Sequence, residues 1–229
     1  MFAWGYPLFG SSILIVLPAL LLAAYAQYKV HSTYKRYSQV ETQTRTSAAT
    51  VAERVMTAQA VSGVSIQQSR RGSLSDHYDP RAKALRLSDP ASTSVAAVGV
   101  AAHEAGHAIQ HAQGFKPLAL RSAMVPTAQL GSYLAIPLLI VGMVFQFSPL
   151  VTVGVAFFSA AVLFTLITLP VEFDASRRAV AALRSSEIVS EEELGAVKEV
   201  LFAAALTYVA SAAVAVLQLL RFLSLIRRR

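Results

Sequence analysis

Four long apolar runs constrain this chain more than any other feature: Pro7 to Ala26, Ala128 to Phe147, Leu150 to Leu169 and Leu201 to Leu220. A helix needs about 20 predominantly apolar residues to cross the hydrocarbon core of a bilayer, and each run reaches that length. Backbone polar groups find no water there, so the runs are expected to be helices that satisfy their own N–H and C=O groups. Charged residues make up only 14% of the chain and hydrophobic ones 55%. An ordinary soluble domain carries roughly 25% charged residues. The expectation is therefore a mainly α-helical membrane protein with about four transmembrane helices.

Ala24-Tyr25-Ala26 could pass for a signal-peptidase site. The stretch Met1 to Tyr6 has no basic residue, however, and Lys29, Lys35 and Arg36 follow the run. That order suits an uncleaved anchor running from outside to inside. Lys and Arg total 20 against 13 acids, a net charge of +7. Many of the basic residues flank apolar runs, which the lipid bilayer explains, and no basic-aromatic stripe or nucleic-acid motif accompanies them. Nucleic acid is excluded as a partner on that ground. Cysteine is absent, so disulfides and thiolate metal sites are excluded, and any metal must sit on His, Asp or Glu.

Residues 28 to about 122 are polar enough to be aqueous. Ser47 to Ala60 has helical spacing of Val51, Val55 and Ala58, with Gly63 as the stop. Val64 to Gln67 and Lys83 to Leu87 read as short strands. Asp76-His77-Tyr78-Asp79-Pro80-Arg81 lies between them, and its Asp-Pro step predicts a hairpin turn. A helix is predicted from Val95 to Gln113, capped by Thr93 or Ser94 and ended by Gly114. It is apolar on nearly every side, as a buried helix is. Ser148-Pro149 predicts a tight turn between the two middle apolar runs. Glu172 to Arg184 is predicted to be a separate polar helix, and Ser190 with Glu193 matches a capping box.

The buried-looking helix carries His103-Glu104-Ala105-Gly106-His107. Histidines four apart share a helix face, about 40° apart around the axis, so both imidazoles can reach one zinc ion at about 2.0–2.1 Å. Glu104 stands beside such a metal rather than on it, where it can take a proton from water as a general base. Hydrogen-bonded core histidines are the bland alternative. Burying two histidines and a glutamate is costly unless something satisfies them, and a metal site satisfies all three.

A third protein ligand is required. The candidates are His111, Glu172, Asp174, His77 and Asp79. His111 would be swung a further ~40° around the helix and ~6 Å along it from His107, which favours a supporting role. Glu172 and Ser176 share one helix face, and Asp174 and Arg178 share another. Glu172 and Asp174 therefore cannot both face the metal. Tyr78, His77 and Tyr208 are candidate donors to a transition-state oxyanion. The segment from Asp76 to Leu87 suits either a plain turn between strands or an edge strand along which an extended substrate could lie.

Three strings, Asp76 to Arg81, His103 to His111 and Leu169 to Arg178, together resemble the neutral zinc metallopeptidases of bacteria, the YugP-like membrane proteases. The resemblance covers almost the whole chain. It implies Zn2+ as cofactor, His103 and His107 as ligands, Glu104 as the catalytic residue, and a place in the bacterial cell membrane as a multi-pass protein. A second resemblance is to membrane proteases that cleave prenylated or misfolded membrane proteins. Those also place two membrane helices between the histidine helix and a glutamate ligand, which is followed four residues later by aspartate. Glu172 matches the ligand position, and this chain departs at Ser176.

The expected organisation is an N-terminal transmembrane anchor (1–27), a catalytic domain with the zinc-binding helix (28–122) and a transmembrane hairpin (123–170). A second catalytic segment with the third ligand (171–200) follows, then a C-terminal membrane helix and basic tail (201–229). The two catalytic segments would form a small, discontinuous zincin-like α+β domain. Its expected activity is endopeptidase cleavage of a peptide or membrane-protein substrate. A non-catalytic scaffold with a structural zinc site is the rival. A transporter is a weaker one, because the hairpin runs hold no charged residue. Positive charge after the first helix puts the site on the cytoplasmic face. Arg177, Arg178 and Arg184 agree with that placement. Arg227-Arg228-Arg229 disagrees if the last run spans, so either the early charges dominate or that run stays against the inner face.

Overall fold

The computed structural model describes residues 14–70, 72 and 75–227. Its elements are α1 (Leu17–Tyr37), α2 (Ala48–Ala58), β1 (Ser65–Gln68), β2 (His77–Asp79), β3 (Ala84–Leu87), α3 (Val95–Ala112), α4 (Lys116–Val144), α5 (Ser148–Ser185) and α6 (Glu191–Arg227). The molecule is mostly helical, with one small sheet. It divides into two compact units. One comprises Tyr28–Ala119 with Pro170–Leu206, and the other Leu120–Leu169, Thr207–Arg229 and the N-terminal stretch to Gln27.

The first unit is built on α3. Ser94 caps this helix, its hydroxyl accepting from the Ala97 N–H at 3.2 Å, and Gly114 ends it with φ +64°. A left-handed residue there suits glycine, which has no Cβ to clash. Helix α2 is capped by Ser47, which accepts from Thr50 N–H, and buries Val51 and Val55 one turn apart. These pack with Leu85 and Leu87 of β3, Ala101 and Ala105 of α3, and Leu183, Leu194 and Val197 from the second stretch, as one apolar core. The capping box at Ser190 is present: its N–H donates to Glu193 Oε2 at 2.7 Å, and Glu193 N–H donates back to its hydroxyl at 3.2 Å.

The sheet corrects the expected hairpin. Its strand order is β1-β3-β2. β1 runs parallel to β3, Ser65 opposite Ala84 through Gln68 opposite Leu87. β2 pairs antiparallel with β3, Tyr78 opposite Leu85. The residues predicted as a turn, His77 to Asp79, are thus a strand, and the tight turn is shifted to Asp79–Lys83. There the Asp79 carboxylate accepts from the Arg81 and Ala82 N–H groups at 3.0 and 3.1 Å, as aspartate does in turns. The connection from β1 to β3 is long enough for the parallel crossover, which two-residue turns cannot supply.

The second unit holds the apolar parts of the long helices. Among the described residues, three helices are long and apolar enough to cross a membrane: Lys116–Val144, Ser148–Ser185 and Glu191–Ser224. Small residues bring α4 and α5 together. A Cβ added at Gly131 would lie 2.6 Å from the Phe157 carbonyl oxygen, and one at Gly142 would lie 2.8 Å from the Val151 backbone nitrogen. Close backbone approach of this kind is how helices associate where lipid provides no hydrophobic driving force. The α4–α5 bend falls at Phe145–Phe147, and Ser148-Pro149 opens α5 instead of forming the turn. Proline suits a first helical turn, where its missing N–H would have no partner anyway. The expected anchor Pro7–Ala26 falls partly on residues 1–13, outside the described residues, and its remainder enters α1.

One further expectation is corrected. Glu172 does not open a new helix. It lies inside α5, which is continuous through Pro170. A proline removes only its own N–H donor and crowds one preceding carbonyl, and here the helix continues past it.

Candidate metal centre

Every group at the site belongs to the first unit. His103 and His107 project from α3 one turn apart, with ring centroids 4.8 Å apart and planes at 82°. Glu172 comes from α5 and is almost fully buried, at 2% exposure. Its Oε2 lies 3.2 Å from His103 Nε2 and 3.7 Å from His107 Nε2. The three residues offer ligand atoms all within 4.8 Å of one another, the one such group of His and acidic side chains among the described residues. A tetrahedral zinc with bonds of about 2.0–2.1 Å separates its ligand atoms by about 3.3 Å. Two imidazole nitrogens and a carboxylate oxygen therefore fit zinc in chemistry, and the two separations to the Glu172 oxygen, 3.2 and 3.7 Å, are close to that size.

The close approach of α3 and α5 makes this possible. A Cβ on Gly106 would lie 2.5 Å from the Ala175 carbonyl oxygen. Only glycine between the two histidines lets the helix carrying Glu172 come this near.

The other nitrogen of each imidazole is held by protein. Ser176 Oγ lies 3.1 Å from His103 Nδ1, and Gln110 Oε1 lies 3.0 Å from His107 Nδ1. Both rings therefore direct Nε2 at Glu172. Burial alone pushes the His107 imidazole down. The Glu172 carboxylate, the charge of Glu104 and the Gln110 contact outweigh it, so its pKa stands above the ordinary imidazole value.

Glu104 is nearly buried, at 8% exposure. Its Oε2 accepts the backbone N–H of Tyr78 at 2.8 Å, so the β2 edge strand fixes the carboxylate that follows His103 in the chain. The Tyr78 hydroxyl reaches His111 Nδ1 at 2.8 Å. Burial, and then the neighbouring Asp79 charge, push that phenol's pKa up.

The remaining candidates for third ligand are engaged elsewhere. Asp174 accepts from Gln110 Nε2 at 2.9 Å and pairs with Arg177 and Arg178, so the pairing read from the four-residue spacing with Arg178 is present. Asp79 pairs with Arg86 at 2.9 Å, and the guanidinium holds its carboxyl below the usual carboxylate value. His77 contacts the Ser75 carbonyl oxygen at 2.8 Å and Arg86 at 3.4 Å. Tyr208 falls in the other unit. Sequence reasoning does not single out Gln110; the signal it offers is an amide three residues after His107 on a helix that reads as buried, where a polar group needs a partner, and the structure buries it to 0% exposure.

A model of the family described as "Putative neutral zinc metallopeptidase" matches residues 12–227. The protein named "Putative membrane protease YugP" from Bacillus subtilis (strain 168) is 42% identical over 212 residues, covering 92% of this chain and 94% of the relative. No solved structure matches the chain.

Proposed function

The chain belongs to the neutral zinc metallopeptidase family, and from that premise we propose that it is a membrane-embedded zinc-dependent endopeptidase. The observation that carries this reading is the convergence of His103 Nε2, His107 Nε2 and a Glu172 oxygen, with the Glu104 carboxylate beside them on the same helix. His103, His107 and Glu172 would hold the ion, leaving a fourth position for water or substrate, as catalytic zinc sites do. Bound there, zinc would polarise the scissile carbonyl and acidify water.

The protein's own contribution is the placement and movement of protons. Glu104 accepts a proton from the attacking water and later delivers it to the leaving amine. The Tyr78 N–H bond holds Glu104 Oε2, and Oε1 would be the oxygen that accepts the proton. The small sheet beside α3 supports the zincin-like reading of this domain, and β2, as an edge strand, supports an extended peptide substrate. With the N-terminal anchor counted, the chain makes about four crossings and keeps both catalytic stretches on the cytoplasmic face.

A structural zinc site normally has four protein ligands. His111 and Asp79, the residues that could complete one, are held by Tyr78 and Arg86. This favours the catalytic reading over the scaffold. The test pairs metal analysis with a protease assay on Glu104→Gln. The variant should keep about one zinc per chain and lose about 10²-fold or more of peptide cleavage, because an amide cannot accept the water's proton. Undiminished proteolysis in the variant would remove Glu104 from its role, and a zinc-loaded wild type that cleaves no peptide would favour the scaffold.

A further inference from the structure

Gln110 is the most completely buried polar side chain in the described protein, at 0% exposure. An amide buried in this way is costly unless its hydrogen bonds are made. Its Nε2 donates to the Val171 carbonyl oxygen at 2.8 Å and to Asp174 Oδ2 at 2.9 Å. Both partners are acceptors only: one is a backbone carbonyl, and the other a carboxylate paired with Arg177 and Arg178. The amide nitrogen, the group's only donor, must therefore face them. That leaves Oε1 facing His107 Nδ1 at 3.0 Å. A carboxamide oxygen can only accept, so His107 must carry a proton on Nδ1. In the neutral ring, Nε2 then presents a lone pair toward Glu172, 3.7 Å away.

We propose that Gln110 is a positioning residue that presets the tautomer of His107, so that Nε2 is the metal-binding nitrogen before any ion arrives. The chain of contacts runs from Arg177 and Arg178 through Asp174 and Gln110 to His107. Each link restricts the next: the guanidinium groups orient the carboxylate, the carboxylate with Val171 O orients the amide, and the amide orients the proton. His103 differs. Its Nδ1 meets the Ser176 hydroxyl at 3.1 Å, and a hydroxyl can donate or accept, so that contact holds the ring without choosing its tautomer. Ser176 stands where the proteases of the second resemblance carry aspartate. In this chain the buried carboxylate is instead Asp174, and it serves the second histidine through an amide.

The proposal rests on the zinc reading for its purpose, yet the tautomer can be measured without the metal. The full-length protein, selectively 15N-labelled at its five histidines, would be studied in detergent, metal-free, at a pH where the His107 imidazole is neutral. The His107 signal is identified by its loss in His107→Asn. In wild type, Nδ1 should show the shift of a protonated nitrogen and Nε2 that of an unprotonated one. In Gln110→Met, which keeps the volume and removes the acceptor, the two tautomers should mix. Zinc should bind about 10–100-fold more weakly in that variant, the range expected when a partner behind a metal-bound histidine is lost. A merely structural clasp between α3 and α5 would lower the melting temperature without moving the tautomer.

A wild-type His107 protonated on Nε2 overturns the proposal, and so does an unchanged tautomer and zinc affinity in Gln110→Met. Should the variant fail to fold, the wild-type spectrum alone decides. A wild type that binds no zinc while keeping its proton on Nδ1 supports the tautomer assignment and counts against the zinc reading instead.

Discussion

Glu172 is a carboxylate buried inside a helix that also carries an apolar run, and both imidazoles lean on a single one of its oxygens. Breaking a buried set of charged groups by deleting one member is strongly destabilising, so the replacements must separate metal loss from unfolding. Glu172→Ala and His103→Ala should each lose most of the bound zinc. Asp79→Ala, which removes another candidate for third ligand, should retain about one ion per chain. Elemental analysis of the purified, folded proteins reads this directly, and full zinc in Glu172→Ala would remove that residue from the metal. The histidine pair and Glu104 were legible in the sequence because their spacing is local to one helix, and the Asp174–Arg178 pair was legible for the same reason. Gln110 was not singled out. Its meaning depends on Val171 and Asp174, which lie about 60 residues further along the chain and come near only when α5 packs on α3.

The contact between α3 and α5 also sets how closely Glu172 can approach. A methyl at Gly106 would meet backbone, the Ala175 carbonyl oxygen at 2.5 Å and its Cα at 3.2 Å, and backbone cannot swing aside. Gly106→Ala should therefore push the helices apart at a cost of about 1–3 kcal/mol, as overpacking does, and weaken zinc binding together with stability. Gly195→Ala is the matched control. Nothing lies within 4 Å of its added Cβ, and a helical Gly→Ala change there should stabilise by up to about 1 kcal/mol. Thermal melts of the two variants, with zinc titrations, distinguish them, and equal effects would deny the close contact its importance.

Among the elements themselves, the capped helices were legible because a cap is a few adjacent residues. The sequence at His77–Asp79 predicts a turn, since a segment so short becomes a strand only through its partner β3. The break expected before Glu172 was absent for a comparable reason. Pro170 costs one hydrogen bond, and the packing of the helix on both sides of it outweighs that loss.

At the scale of the whole molecule, the metal would join two stretches far apart in sequence, α3 and the later part of α5. An ion that binds the folded chain and not the unfolded one adds about 2.7 kcal/mol when present at 100 times its dissociation constant. Stripping zinc with a chelator should therefore lower the melting temperature of the wild type and leave that of Glu172→Ala unchanged. Orientation is the remaining question at this scale. Lys35 and Arg36 lie in the last turn of α1, with Lys29 two turns before, while Arg177, Arg178 and Arg184 occupy the other stretch of the same compact unit. Both groups follow apolar segments, and the positive-inside rule leads both to be expected in the cytoplasm. A hairpin in which α4 and α5 both cross would return the chain to the side it left. A crossing by α6 would place the basic C-terminal tail outside, so its three arginines oppose six residues that agree. The first helix usually dominates such conflicts, and on the proposed reading the metal centre is expected on the cytoplasmic face. The chain has no cysteine, so Glu53→Cys, on the exposed face of α2, gives a single label site. A membrane-impermeant maleimide should fail to label it in intact cells and succeed after lysis. Labelling before lysis would put the site outside the cell and overturn that expectation, because Glu53 and the histidines lie within one compact unit.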